Sequence, residues 1–292
     1  MAQTIWVYWE NPPGVSKRPA IIDACLNTMF RNSGCEVILV SRASIGDYVD
    51  HVHPAIDFLK GAHQSDVFRL NVLHTHGGMY LDADTIVMTS LCHLFAALDE
   101  FEYVGADWRP PGLPEANHAP IGISLMGPCR PNLAFIERAL ERQNAILDDK
   151  LEQLMTGRSY PIPWAAIMRD VVVPSFLETP PLACMKDGAN SWLALVGGPN
   201  WHPTTWHAFQ SEDRIGDLPA SELYTFSNKL MPKRYRSMSY QKLLDSSTIL
   251  ARLLKRAGGG PETGDQGASM RQAMPWPTPM HMVASARRPD RA

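Results

Sequence analysis

Apolar and polar positions along the first 41 residues predict a strand, a helix and a second strand. Residues 4–9 (TIWVYW) are β-branched or aromatic and end at the turn cluster ENPPG. Residues 17–34 place apolar side chains at helical intervals and stop at Ser33-Gly34. Residues 35–41 (CEVILVS) predict the second strand. This order is typical of a βαβ unit and therefore of a parallel sheet covered by helices.

A second helix and strand are predicted at residues 65–81. Ser65 is the expected N-cap, and Asp66 would lie in the first turn, where a negative charge suits the helix dipole. Gly77-Gly78 would end the helix, because glycine tolerates the left-handed conformation. Further strands are predicted at 101–107 and 121–127, and further helices at 130–147 and 239–257.

These elements predict the α/β class, with a mostly parallel central sheet flanked by helices. One domain is expected at residues 1–257. Within it, residues 1–105 would form the sheet-based ligand-binding part, and residues 106–257 would form the acceptor side of the site and the closing helices. Residues 258–292 are rich in Gly, Pro and Ala and lack periodicity, so they are predicted to be a disordered tail.

Composition argues against several classes of function. The 292 residues carry a net charge of −3, so we expect no nucleic-acid partner. The five cysteines are scattered and none is spaced as C-x-x-C, which argues against a disulfide framework or a zinc site. The N-terminal sequence has neither a basic start nor a long apolar run. We therefore expect no signal peptide, no transmembrane segment and a cytoplasmic location, with peripheral membrane contact left open.

Asp82 and Asp84 are candidate metal ligands. They follow a predicted strand, and open α/β sheets bind ligands at the carboxyl ends of their strands. Carboxylate oxygens suit Mg²⁺, which usually completes its shell with water and substrate phosphates, so a nucleotide-linked diphosphate is the natural partner. Asp66 and Arg69 share one face of the preceding helix. There Arg69 can orient a carboxylate or phosphate, and Asp66 can accept hydrogen bonds from sugar hydroxyls.

Residues 65–88 (SDVFRLNVLHTHGGMYLDADTIVM) resemble the signature of DXD-containing glycosyltransferases with the GT-A fold. That group includes capsular polysaccharide synthesis proteins, yeast α-mannosyltransferases and the large clostridial glucosylating toxins. Residues 5–13 (IWVYWENPP) are similar to the group's first strand. The resemblance implies a GT-A-like fold. It also implies transfer of a sugar from a nucleotide diphosphate sugar to a hydroxyl acceptor, with retention at the anomeric carbon, plausibly in surface polysaccharide or glycolipid synthesis.

The same resemblance implies a role for each matching residue around the sugar. Asp84 would coordinate Mn²⁺ or Mg²⁺ directly. Asp82 would bind the donor ribose or sugar and support the metal through water. Asp66, Arg69 and Tyr80 would hold the transferred sugar. No catalytic nucleophile stands out.

For the nucleotide, the resemblance implies that Trp9 stacks on the base and that Asn228 contributes a polar contact. A buried core position is the alternative for Trp9, as it is for Tyr80. The His and Trp that relatives carry near Asn228 are absent, and Lys229, Lys233 and Arg234 could supply phosphate-binding charge instead. On the acceptor side, Asp107 is an acidic candidate, and the acceptor itself could be a saccharide, a lipid-linked molecule or another hydroxyl compound.

Two other functions fit parts of the pattern. Residues 82–85 (DADT) fit the D-x-D loop of haloacid-dehalogenase-like phosphatases, but those proteins place it after their first strand, whereas a βαβ unit precedes it here. The other alternative is a non-catalytic sugar-binding protein. Release of nucleoside diphosphate, rather than inorganic phosphate or nothing, distinguishes the three.

Overall fold

A seven-stranded sheet forms the centre of the fold. The computed structural model of the chain describes residues 3–107, 125–157, 160–163, 167–187, 193–195, 220–226, 231–258 and 283–285. The strands are β1 (Thr4–Tyr8), β2 (Glu36–Val40), β3 (Gly78–Leu81), β4 (Thr85–Val87), β5 (Tyr103–Asp107), β6 (Leu125–Cys129), β7 (Ala183–Asp187), β8 (Leu193–Leu195), β9 (Leu223–Thr225) and β10 (Val283–Ser285). The main sheet has the order β10-β7-β5-β6-β3-β1-β2, and only β6 and β10 run against the other five. Strands β4, β9 and β8 form a second, three-stranded sheet.

Helices cover both faces of the main sheet. They are α1 (Ala20–Asn32), α2 (Gly61–His76), α3 (Cys92–Ala96), α4 (Ala134–Thr156), α5 (Val173–Glu178), α6 (Lys233–Arg236), α7 (Tyr240–Leu244) and α8 (Ile249–Arg256). Shorter turns include a 3-10 helix at Pro54–Phe58 and a π-helix at Ile167–Val172. Among the residues that the structure describes, no helix is both long and apolar enough to cross a membrane.

Strand β1 is buried on both sides because successive side chains point to opposite faces of a sheet. Ile5 and Val7 pack into the core with α1 and α8, whereas Trp6 and Tyr8 pack with α2 and α4. Strands β1 and β2 pair in parallel, so the predicted βαβ unit and the α/β class with a mostly parallel sheet are confirmed.

Helix α2 begins earlier than predicted. Lys60 is its N-cap, and the hydroxyl of Ser65 lies inside the helix, where it donates to the carbonyl oxygen of Ala62 at 2.6 Å. The prediction of Ser65 as N-cap is therefore wrong. Residues 61–64 contain no proline, so the helix can extend toward the N-terminus as far as Gly61. Asp66 therefore lies in the second turn, away from the free N–H groups of the helix start, and its charge needs another partner.

Two other helices differ from their predicted bounds. The helix expected at 130–147 runs from Ala134 to Thr156, because apolar side chains keep their helical spacing as far as Leu154. The helix expected at 239–257 is divided into α7 and α8. The hydroxyl of Thr248 accepts the N–H of Ala251 and so caps the start of α8.

The strands expected at 101–107 and 121–127 correspond to β5 and β6. Strand β6 begins at Leu125, and residues 121–124 lie outside the described residues. Of the predicted tail, the structure describes Gly258 and β10, which pairs antiparallel with β7.

Gly78 brings β3 close to β1. Its φ is +87°, and an added Cβ would lie 2.7 Å from the carbonyl oxygen of Thr4 and 3.0 Å from Nε1 of Trp6. Because one of these atoms belongs to the backbone of the adjacent strand, the obstacle cannot rotate away. The position therefore requires glycine both for its conformation and for its space.

We expect Gly78→Ala to lower the free energy of unfolding by about 3 kcal/mol, since it combines backbone strain with a clash inside the sheet. Urea denaturation followed by circular dichroism measures this change. Gly157→Ala is the matched control: Gly157 has φ +64° but nothing within 4 Å of an added Cβ, so only about 1 kcal/mol should be lost. Equal losses in the two variants would contradict the proposed close approach of β3 to β1.

Candidate functional site

The candidate site lies at the carboxyl end of β3. The N–H of Thr85 donates to the carbonyl oxygen of Asp82 at 3.1 Å, so Asp82 and Asp84 lie in the tight turn that joins β3 to β4. Within β3, Tyr80 packs with the core that includes α2, whereas Leu81 packs with the α1 core. Asp82, two residues after Tyr80, is consequently directed toward α2.

Arg69 of α2 joins the predicted residues into one cluster. Its Nη2 lies 3.1 Å from Oδ1 of Asp82 and 3.2 Å from Oδ1 of Asp66. Its guanidinium carbon lies 4.4 Å from the ring centroid of Tyr80, a cation–π distance. The guanidinium side chain is only 2% exposed. The structure thus brings together all four residues predicted to hold the donor sugar.

Burial sets the charge state of this cluster. Burial raises the pKa of Asp66 to about 6, although the positive charge of Arg69 acts in the opposite direction, and the charge of Asp82 adds to the rise. Burial alone would lower the pKa of Arg69, but the negative charges around it, Asp82 foremost, outweigh burial and raise that pKa. Arg69 therefore stays charged. At neutral pH, Asp66 is a carboxylate whose ionisation is unfavourable and which gains from any further hydrogen-bond donor.

The hydroxyl of Tyr80 is a second buried polar group in the cluster. It makes no well-formed hydrogen bond to the described residues, although the side chains of Ser65 and Arg69 lie close to it. Burial raises its pKa well above the usual range, so the hydroxyl keeps its proton. An unpaired buried hydroxyl is unfavourable by about 1–3 kcal/mol. Together with Asp66, it offers one donor and one acceptor to a polar ligand.

The carboxylates of the turn fit a hard divalent cation in part. Arg69 uses Oδ1 of Asp82, and Oδ2 has no partner among the described residues. Asp84 is 9% exposed, and its carbonyl oxygen accepts the N–H of Phe226 at 3.3 Å, which fixes the turn against the end of β9. The described residues contain no group of three or more His, Cys, Asp or Glu that could hold a metal ion. Two carboxylates suit Mg²⁺ or Mn²⁺ when phosphate and water complete the shell.

Trp9 lies directly after β1, the strand next to β3 in the sheet. Its indole Nε1 donates to Oδ1 of Asn11 at 2.8 Å, and its half-buried ring packs against the core on the α1 side. Trp9 therefore belongs to the same edge of the sheet as Asp82 but to the opposite face from Tyr80.

The remaining predicted residues are placed only in part. Asn228 and Lys229 lie outside the described residues. Asp107 is the last residue of β5, and Lys233 and Arg234 begin α6, where both are exposed.

A pair of aromatic residues beside Asp66, His63 and Tyr160, was not predicted from the sequence. Nδ1 of His63 lies 2.6 Å from the hydroxyl of Tyr160, and the two rings stack at 5.4 Å. Nζ of Lys60 lies 4.2 Å from the Tyr160 ring centroid. Burial raises the pKa of Tyr160, and the negative charge of Asp66 adds to the rise. His63 lies three residues before Asp66 on α2, so helical spacing alone could have placed it on the same face. Tyr160 lies in a region without clear periodicity, and nothing in the sequence indicated its position.

Comparison with known proteins bears on the first third of the chain. Residues 1–104 match the family model of the capsular polysaccharide synthesis proteins. The resemblance predicted from residues 65–88 is confirmed over this range. The matched range contains the whole cluster around Arg69, together with Trp9 and Asp84. A search of curated proteins finds no match.

Solved structures give weaker likenesses. The glycosyltransferase GlyE of Streptococcus pneumoniae TIGR4 is 14% identical with a TM-score of 0.44, covering 88% of this chain and 60% of GlyE. The PaToxG glycosyltransferase is 13% identical with a TM-score of 0.36, over 60% and 68% of the two chains. The galactosyltransferase LgtC, solved with donor and acceptor sugar analogs, is 10% identical with a TM-score of 0.40, over 89% and 98%. At identities and TM-scores this low, these likenesses decide neither the family nor the activity.

The raised pKa of Asp66 predicts a specific pH dependence of stability. The folded state holds the Asp66 proton more tightly than the unfolded chain does, so the stabilisation from this group is lost as pH rises through about 6. Asp66→Asn has no proton to lose. We therefore expect the free energy of unfolding of Asp66→Asn, minus that of the original protein, to rise by about 3 kcal/mol between about pH 4 and pH 7.

Urea denaturation at a series of pH values measures this difference. Asp50→Asn, at an exposed carboxylate, is the control and should follow the original protein at every pH. A constant offset between Asp66→Asn and the original protein would mean that Asp66 does not carry the shifted proton.

Proposed function

We propose that the protein is a metal-dependent glycosyltransferase that moves a sugar from a nucleotide diphosphate sugar to a hydroxyl acceptor. The observation that carries this proposal is the buried cluster of Asp66, Arg69 and Asp82 over Tyr80, next to Asp84. The match to capsular polysaccharide synthesis proteins over the same residues supports it and favours a role in surface polysaccharide synthesis.

In this proposal the donor sugar binds against α2 and β3. The carboxylate of Asp66 accepts hydrogen bonds from sugar hydroxyls, and the hydroxyl of Tyr80 donates one. Arg69 holds the two carboxylates in place from a buried position, which fixes their geometry before the sugar arrives. Such rigidity is what positions the anomeric carbon for attack.

Asp82 and Asp84 would hold Mn²⁺ or Mg²⁺ together with the diphosphate of the donor. When bound, the metal ion supplies positive charge that stabilises the departing nucleoside diphosphate. Because Arg69 engages Oδ1 of Asp82, the other oxygen is directed by a fixed side chain rather than a mobile one.

Trp9 would contact the base at the end of β1, with Asn228 completing the nucleotide site. The family resemblance favours retention at the anomeric carbon. The acceptor is a saccharide, a lipid-linked molecule or another hydroxyl compound, and Asp107 is a candidate residue on its side.

The phosphatase alternative is less well supported by the cluster. It requires Asp82 to attack phosphorus as a nucleophile, and a guanidinium held 3.1 Å from Oδ1 reduces the nucleophilicity of that carboxylate. Strand β3 is also preceded by the complete β1-α1-β2 unit. A non-catalytic sugar-binding protein would use the same donor contacts without turnover.

A panel of nucleotide sugars with Mn²⁺, measured as release of nucleoside diphosphate, tests the proposal. We expect slow turnover of one donor, abolished by a chelator. Asp84→Asn should lower the rate at least about 100-fold, because it removes a charge that holds the metal beside the leaving group. Asp50→Asn, which makes the same chemical change at an exposed site, should leave the rate unchanged.

The products also decide between the alternatives. Release of inorganic phosphate from a phosphomonoester, sensitive to Asp82→Asn, would replace the transferase with a phosphatase. Donor binding without turnover, even with saccharide acceptors present, would favour a binding protein.

Tyr80→Phe separates a ligand contact from a structural one. Because the Tyr80 hydroxyl makes no well-formed hydrogen bond to the described residues, its removal should lower the free energy of unfolding by less than about 1 kcal/mol. If the hydroxyl donates to the donor sugar, KM for the donor should rise about tenfold.

Tyr240→Phe is the matched control, since it deletes another buried hydroxyl that makes no hydrogen bond among the described residues, on helix α7. We expect Tyr240→Phe to change neither stability nor KM. An unchanged KM in Tyr80→Phe would remove Tyr80 from the donor site.

A further inference from the structure

The C-terminal helices carry a charge opposite to that of the rest of the chain. Residues 231–258 contain seven Lys or Arg and a single acidic residue, Asp245, for a net charge of +6. Because the whole chain carries −3, the remainder carries −9. A separation of this size produces a positive field on one part of an otherwise acidic protein.

The fold leaves these basic side chains exposed to solvent. Helices α6, α7 and α8 pack on α1 through buried side chains such as Tyr235, Leu243 and Leu253, which belong to the same core as β1. The basic side chains on the other sides of these helices are exposed. We call these six residues the basic surface: Lys233, Arg234, Lys242, Arg252, Lys255 and Arg256.

The basic surface is not neutralised by ion pairs within the part of the chain that the structure describes. None of its six residues makes an ion pair with a carboxylate of the described residues. Asp245 accepts a hydrogen bond from Gln241, and Asp23 of the adjacent α1 pairs with Arg18. Lys255 and Arg256 lie in the last turn of α8, where they also suit the helix dipole. Lys242 likewise lies in the last turn of α7, and Arg234 lies over the ring of Tyr235. Neither arrangement removes the positive charge of these side chains.

An exposed aromatic side chain lies next to one end of the basic surface. Phe30, on α1, is 52% exposed. Its neighbour Arg31 donates from Nη1 to the carbonyl oxygen of Gly258 at 2.7 Å, and Asn32 donates to that of Ala257 at 2.8 Å. These bonds join the C-terminal ends of α1 and α8, and Phe30 directly precedes the two bonded residues in the chain.

We propose that the basic surface and Phe30 bind the surface of an anionic lipid membrane. Clustered Lys and Arg are attracted to anionic headgroups, and an adjacent exposed aromatic ring can enter the interfacial region. A single aromatic ring, rather than a row of them, does not suit single-stranded nucleic acid. Membrane binding of this kind holds whether or not the protein is a glycosyltransferase.

The position of this surface connects it to the candidate site. Phe226, whose N–H donates to the carbonyl oxygen of Asp84, precedes Lys233 by seven residues. Seven residues of chain span at most about 25 Å, so membrane binding through α6 limits how far the turn that carries Asp82 and Asp84 lies from the membrane, where a lipid-linked acceptor would be found.

Cosedimentation of the full chain with lipid vesicles tests the proposal. We expect binding to phosphatidylcholine vesicles that contain about 30% phosphatidylglycerol, no binding to phosphatidylcholine alone, and weakening by salt. The triple variant Lys242→Gln, Arg252→Gln, Lys255→Gln should bind about 100-fold more weakly, since each charge near an anionic surface contributes roughly fivefold. Phe30→Ser should also weaken binding, although the net charge is unchanged.

The matched control is Arg138→Gln, Arg142→Gln, Lys150→Gln, which removes the same charge from the outer side of α4. This triple variant should bind as the original protein does, and circular dichroism should verify that all variants fold. Absence of binding, equal binding to the two lipid compositions, or equal losses in both triple variants would overturn the proposal. So would displacement by free nucleoside diphosphate, which would assign the basic residues to the donor site.

Discussion

The buried guanidinium of Arg69 is the contact on which the candidate site depends. Two carboxylates from different elements, Asp66 on α2 and Asp82 after β3, can approach one another only if a cation lies between them. Breaking such a buried pair typically costs about 3–5 kcal/mol, because it leaves uncompensated charge in the interior. Arg69 therefore links the helix, the strand and the turn, and it fixes the distance across which a ligand would be held.

The double-sided burial of the sheet makes this arrangement possible. Ile5 and Val7 secure one face of β1 with α1, and Trp6 and Tyr8 secure the other with α2. Because α2 is held over the sheet by these contacts, its polar side chains need not contribute to its attachment. The same packing directs Tyr80 under Arg69, where the ring face supports the guanidinium.

Two local periods predict from sequence that Asp66 lies near Arg69 and that Tyr80 and Asp82 share a side of β3, whereas the meeting of the two pairs was implied by the family resemblance. Residues three apart share a helix face, and residues two apart share a strand face. The start of α2 could not be read in the same way, since a serine inside a helix looks like a cap until the preceding turn is known. Tyr160 was missed because its contact with His63 is made by tertiary folding alone. The separation of α7 from α8 likewise depends on how Thr248 bonds to the backbone.

Three unfavourable elements of the described structure meet at one edge of the sheet. Asp66 must ionise in a buried position, the Tyr80 hydroxyl makes no well-formed hydrogen bond to the described residues, and Arg69 is withdrawn from water. A fold of this class does not need any of them, because apolar residues of similar volume would pack there at lower cost. Polar groups that are retained against stability at one place, and directed toward the carboxyl ends of parallel strands, are what a ligand site requires. The unfavourable burial of these polar groups and the sequence motif therefore indicate the same candidate ligand site.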